Sequence, residues 1–259
     1  MKEVHLVIQG KGGVGKSFTS AIIADYMEEV ASAKIPVFCY DTDPVNRTFS
    51  RHKKLKTDVI DIMTEFNTID SARFDRLIEE LVEKDGIGIV DNGAATFVPL
   101  MAYLTENRVP ELLKDSGVRL ILHVPMNGGQ AFFDCADGLD KVLTSIKSEV
   151  VVWLNDHKGK VEYNGKPFTE FQVYKNNLDR IIGIVHIENR NPDTYGKDIE
   201  RMTSLSLTLS EAVESDVFTL MPRQRLKNVK RDLFAQIAAL PIWVNNSSKK
   251  LKTGVADEQ

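Results

Sequence analysis

The octet Gly10-Lys11-Gly12-Gly13-Val14-Gly15-Lys16-Ser17 restricts this chain more than any other stretch of its 259 residues. It stands between an apolar run, Val4 to Ile8, and a helix-compatible run, Ala21 to Met27. Strand, glycine-rich turn and helix is the setting in which G-x-x-x-x-G-K-[ST] becomes a phosphate cradle. Glycine lets the backbone curl until successive N–H groups point inward, and the new helix adds its positive N-terminal end. Lys16 is then placed to reach the β- and γ-phosphates, and the Ser17 hydroxyl to ligate Mg²⁺. Phe18, next in the chain, joins the expected nucleotide contacts.

Two further apolar runs end in acids. Ile35 to Tyr40 leads into Asp41-Thr42-Asp43-Pro44, and Gly86 to Val90 ends in Asp91. Buried strands closed by carboxylates fit a parallel sheet with its site at the carboxyl edge. Asp91 takes the Walker B position, where it holds a Mg²⁺-bound water beside Ser17. The plain alternative is an Asp91-Asn92-Gly93 turn. Asp43 before Pro44 is also a favourable helix N-cap. The remaining elements follow by pattern: a helix over 70–84, strands over Val118–Val124 and Glu149–Leu154, a helix over 130–147, and a last strand over Ile181–Ile187. Residues 157–167 are polar and carry Asn164-Gly165, a hairpin signal in an insertion. The expectation is one three-layer α/β domain over residues 1–244, with a mainly parallel twisted sheet, helices on both faces, and a polar, disordered tail over 245–259.

Charge and composition narrow the partners. A net charge of −4 gives no global argument for nucleic acid. The chain opens into a strand-like run, so no signal peptide is read, and no apolar run reaches bilayer length. Cys39 and Cys135 cannot build a disulfide framework and suit a reducing, cytoplasmic setting. The five histidines are scattered, so no protein-only metal site is expected. Local basic clusters remain. Arg51 to Lys56 reads as a solvated face, with non-specific DNA contact as the alternative. A final helix opened by Pro222 has one apolar face (Leu226, Val229, Leu233, Phe234, Ile237, Leu240) and basic residues Arg223, Arg225, Lys227, Lys230 and Arg231 on its other sides. It reads as a core-packing helix with a wet face; a membrane surface, DNA or a protein partner are its alternatives.

The octet with its extra lysine, K-G-G-V-G-K-S, resembles the deviant Walker A motif of the ParA/MinD/nitrogenase-iron-protein ATPases. The resemblance implies that Lys11 reaches across a nucleotide-sandwich dimer to the partner's phosphates; a solvated surface lysine is the alternative. It implies that Asp43, in a D-x-D-P switch I, lies near the γ-phosphate and, through water, Mg²⁺, where it orients or deprotonates the attacking water. Asn92 to Phe97 form switch II, and Asn155 at its strand end contacts adenine, against a simple turn. A guanine-reading acid would stand at Lys158, so ATP is favoured over GTP. Glu188 occupies the place of a proline that in relatives lies against adenine. The iron-protein branch is unlike this chain, which has no cysteine between Asp91 and Pro110. Asp41 to Asn46, Asp91 to Ala94, Phe97 to Leu100, Val151 to Asn155, Thr194 to Gly196 and Arg223 to Lys227 are together similar to the TraL/StbB proteins of conjugative plasmids. That likeness implies an ATP-dependent dimerising switch with weak basal ATPase activity. It also implies a role in plasmid transfer or stability with a plasmid-encoded partner. Small-molecule ligases of the same fold and a MinD-like membrane-positioning ATPase are the rival readings.

Overall fold

The computed structural model describes residues 1–31 and 35–242. Its organising element is a seven-stranded sheet in the order β3-β2-β4-β1-β5-β6-β9. The strands are β1 (Glu3–Val7), β2 (Val37–Asp41), β3 (Asp58–Val59), β4 (Ile87–Asp91), β5 (Arg119–Asn127), β6 (Glu149–Asn155) and β9 (Ile181–Ile187). Every pairing in it is parallel. The sheet is thus wholly parallel where the sequence suggested mainly so. The antiparallel pair, β7 (Glu162–Tyr163) with β8 (Lys166–Pro167), is the hairpin of the insertion. Asn164 and Gly165 turn it with φ of 51° and 72°, the double positive-φ geometry that Asn-Gly favours.

A parallel sheet must be covered on both faces, because each strand buries two sets of side chains. Residues alternate accordingly. Val4, Leu6, Leu122, Val124, Val150 and Val152 point to one layer, which holds α2 (Phe74–Glu83), α3 (Phe97–Glu106), α4 (Val109–Asp115) and α5 (Phe132–Ser145). Val7, Ile89, Ile121, Val151 and Val185 point to the other. That layer is formed by α1 (Lys16–Val30), α7 (Lys197–Ser204), α8 (Leu209–Glu214) and α9 (Leu220–Ala239), while the four-residue α6 (Gln172–Lys175) follows the hairpin. The three-layer α/β architecture is therefore observed.

Several boundaries differ from the sequence pattern. β5 runs to Asn127, past Val124, because Pro125 to Asn127 stay paired with Trp153 to Asn155. The helix expected over 70–84 begins at Phe74, since the Asp70 carboxylate accepts from the Ala72 amide and holds a 3₁₀ turn first. The final helix begins at Leu220, placing Pro222 within its first turn. Residues 245–259 lie outside the described residues.

Candidate nucleotide-binding site

β1 leads through Ile8 and Gln9 into a tightly curled loop. Gly13 and Gly15 have φ of 70° and 95°, left-handed values that suit glycine. Gly15 is the N-cap of α1, and no side chain caps that helix. The first-turn amides of α1 therefore lack a side-chain acceptor, which leaves them available to an anion. Gln9, buried beneath, steadies the entry: its Oε1 accepts from the Gly10 amide at 2.8 Å, and its Nε2 donates to Pro125 O and Cys135 O, each at 3.1 Å. Its fit against Gly138 leaves no room for a Cβ there.

Lys16 is buried at the start of α1 and donates to the loop's own Lys11 carbonyl at 3.0 Å. Burial lowers its pKa, and the nearby Asp91 and Asp43 charges oppose that shift. Asp91 closes β4 and is wholly enclosed. Its Oδ1 accepts from Ser20 Oγ at 2.8 Å, and the Ser17 hydroxyl is also bonded to it. Burial pushes the Asp91 carboxyl up to about 7 despite those bonds and Lys16. A carboxylate in this position is short of positive charge. A hydroxyl and a carboxylate are hard oxygen donors that suit Mg²⁺, which takes few protein ligands and completes its shell with phosphates and waters. No cluster of three or more ligating side chains forms among the described residues.

Asp43 lies at the same edge. Its Oδ1 accepts from the Val45 and Asn46 amides at 2.9 and 3.1 Å, the capping geometry that Asp-Pro suggests. It also abuts the loop after β4: a Cβ on Gly93 would fall 2.7 Å from Asp43 Cγ. Asp41, behind it, accepts from the Asp43 and Ser50 amides and so shapes the loop after β2. Thr42 and Thr96 both donate to Asn92 Oδ1, which knits the two loops together. Gly12 stands beside Ala94, and Gly10 is packed against the Phe97 ring.

Lys11 extends from the loop to α5, where its ammonium pairs with Asp134 Oδ2 at 2.7 Å. That carboxylate raises the Lys11 pKa. Asn155 ends β6 under the loop. Its Nδ2 donates to Val14 O at 3.2 Å and its Oδ1 accepts from the His157 amide at 3.1 Å. Both ends of the amide are therefore engaged in bracing the loop and turning the chain. Phe18 lines a cavity of about 100 Å³ with Ile187, Glu188 and Arg190.

Two curated relatives, each named Protein TraL and each from Escherichia coli, align with nearly the whole chain. One is 41% identical over 239 residues, covering 92% of this chain and 98% of the relative. The other is 40% identical over 244 residues, covering 93% and 100%. The chain belongs to the TraL family. No protein-family model matches it. Among solved structures, this TraL-family chain is similar to the MinD cell division protein of Aquifex aeolicus, at 16% identity over 93% of this chain and 100% of that one, with a TM-score of 0.46. It is similar to the MinC:MinD complex of the same organism at 15% identity and a TM-score of 0.47, covering 93% and 98%.

Sequence patterns did not reveal Gln9, Ser20 or Asp134 as parts of this TraL-family site. Ser20 had a signal, since it sits three residues after Ser17 on one helix face. Asp134 had none, because Lys11 is distant in the chain, and Gln9 borders the octet but anchors it to the distant Pro125 and Cys135 carbonyls. The basic faces prove largely engaged within the molecule. Arg225 pairs with Asp198 at 2.5 Å, Lys230 with Glu29, and Arg231 with Asp232 at 2.9 Å. Arg223 donates to Ser215 O and Phe218 O. In the earlier cluster, Lys54 pairs with the buried Asp25 at 3.2 Å. No helix among the described residues is long and apolar enough to cross a membrane.

Proposed function

We propose that this chain is a MgATP-dependent molecular switch that hydrolyses ATP slowly and dimerises when ATP is bound. The observation that carries the reading is the convergence of Lys16, Ser17 and Asp91 beneath an uncapped helix N-terminus, with a second lysine in the same loop. Gly12 to Ser17 would hold the phosphates by backbone amides, and Lys16 would leave Lys11 O for the β- and γ-phosphates. Ser17 directly and Asp91 through water would hold Mg²⁺, which would supply positive charge to neutralise the phosphates. Asp43, already beside switch II, would orient the attacking water. Lys11 would exchange its bond to Asp134 for the phosphates of a second subunit, placing further positive charge where two γ-phosphates approach each other. Bound triphosphate would thus favour the paired state, and hydrolysis would release it. Membership of the TraL family supports a setting in plasmid transfer or stability with a plasmid-encoded protein partner. The internal pairing of the basic helix favours that partner over DNA or a membrane surface.

Light scattering after size exclusion tests the reading. The mass should double with a non-hydrolysable ATP analogue and Mg²⁺ but not with ADP. Lys11→Ala should still bind nucleotide as a monomer yet show no doubling. A chain that stays monomeric in both nucleotides would sink the switch.

A further inference from the structure

The lysines around the phosphate loop are in different states. Lys16 donates to Lys11 O, and Lys11 pairs with Asp134. Lys158 is exposed, and no hydrogen bond or ion pair of its side chain occurs among the described residues. Its ammonium nevertheless comes within 3.5 Å of the point a Cβ on Gly13 would occupy. Residues 13 and 158 meet only through the fold.

The turn that carries Lys158 is fixed on both flanks. On one side Asn155 bonds to Val14 O, so the turn is tied directly to the loop. Asp156 accepts from the Val161 amide at 3.0 Å and lies 2.7 Å from His186 Nε2, which closes the turn on itself and on β9. On the other side the backbone packs onto the start of α5. A Cβ on Gly129 would fall 2.6 Å from Lys158 O, and one on Gly128 would fall 2.0 Å from Lys160 O. Only glycine fits at either place. The backbone of Lys158 is thereby held as a platform, and its four-carbon side chain is the part free to move.

An ammonium above a curl of inward-facing amides is unfavourable by itself, because both are positive. An anion between them satisfies both. We propose that Lys158 is a further phosphate-binding lysine, closing across Gly13 onto the polyphosphate of a nucleotide held by Gly12 to Ser17. The inference rests on the phosphate-cradle reading of that loop. It assigns a ligand contact to a position noted in the sequence only for lacking an acid.

Calorimetric titration of the full chain with MgATP and with MgADP tests it. Lys158→Gln should weaken binding about tenfold, as loss of one charge-assisted contact does. The salt dependence of the affinity should flatten as well, since one ionic contact is gone. Lys158→Arg should restore most of the affinity, and the melting temperature should not move because the side chain is exposed. A loss with both nucleotides places the ammonium on the α- or β-phosphate, and a loss with ATP alone places it on the γ-phosphate; either supports the contact. If Lys158→Gln binds both as the wild type does while Lys16→Ala binds neither, the role of Lys158 is overturned and the cradle stands. If the wild type takes up no nucleotide, both fall.

Discussion

Two parts of the sheet bury polar groups, and they differ in what those groups are bonded to. The first crosses the middle of the sheet beneath α1. Trp153 Nε1 donates to His123 Nδ1 at 2.9 Å, and His123 Nε2 meets His5 Nδ1 at 2.8 Å. An indole nitrogen only donates, so it assigns the protons along the row. His123 therefore donates from Nε2 to His5 Nδ1, and His5 Nε2 lies 3.1 Å from Glu3 Oε1. Glu3 Oε2 accepts from Arg119, which also pairs with Glu149. The row runs diagonally over β6, β5 and β1, and its members are answered from within the protein except at His5 Nε2, which lies near Glu3 without a directed hydrogen bond. The second part is the carboxyl edge. There α1 has no side-chain cap, Lys16 leans on a neutral carbonyl, and Asp91 is enclosed with two hydroxyls and too little positive charge. Buried polarity that closes on itself is architecture, fixing which strand residues lie side by side. Buried polarity with spare capacity is a site.

This contrast can be broken by experiment. The largest effect belongs to the edge. Lys16→Ala should weaken ATP binding at least about a hundredfold by calorimetry while the chain stays folded; a loss below tenfold would remove the distinction. An intermediate effect belongs to the interior row. Burial and the neighbouring His5 hold the His123 pKa well below its usual value, so the folded protein keeps it neutral. As pH falls through about 6.5 the unfolded chain takes up a proton that the folded chain refuses, and stability drops by up to about 1.4 kcal/mol per pH unit. His123→Gln can keep the bonds to Trp153 and His5 without titrating. Urea melts between pH 7 and pH 5 should show a correspondingly shallower acid loss, and an identical slope would refute a neutral His123. The smallest effect separates engaged from idle surface charge. Arg225→Gln should lower the melting temperature through Asp198, whereas Lys227→Gln should leave it unchanged. Equal responses would mean the α9 pairs contribute nothing.

The edge was legible from the sequence because its chemistry is local. A glycine turn between strand and helix, and acids closing apolar runs, are written in consecutive residues. The last strand, Ile181–Ile187, matches the pattern from end to end. What was hidden depends on register. The histidine row needs Glu3 opposite Arg119 and Val7 opposite His123, pairings that no spacing within one strand reveals. The link from Lys11 to Asp134 spans 123 positions, and that from Asn155 to Val14 spans 141. Asn155 was legible as the end of a strand, but its acceptor was not. The apolar face of α9 packs into the core as its spacing suggested, but its charge pairs were hidden, because helical periodicity displays charges without showing the acids packed against them.

Asp43 presses on Gly93, leaving less than a methyl group's clearance between two loops from different strands. Such a junction has no slack. A displacement imposed on either loop must be followed by the other, as with meshed gear teeth. A partner that grips only one of them would therefore register the condition of both, and could sense the nucleotide without ever touching it.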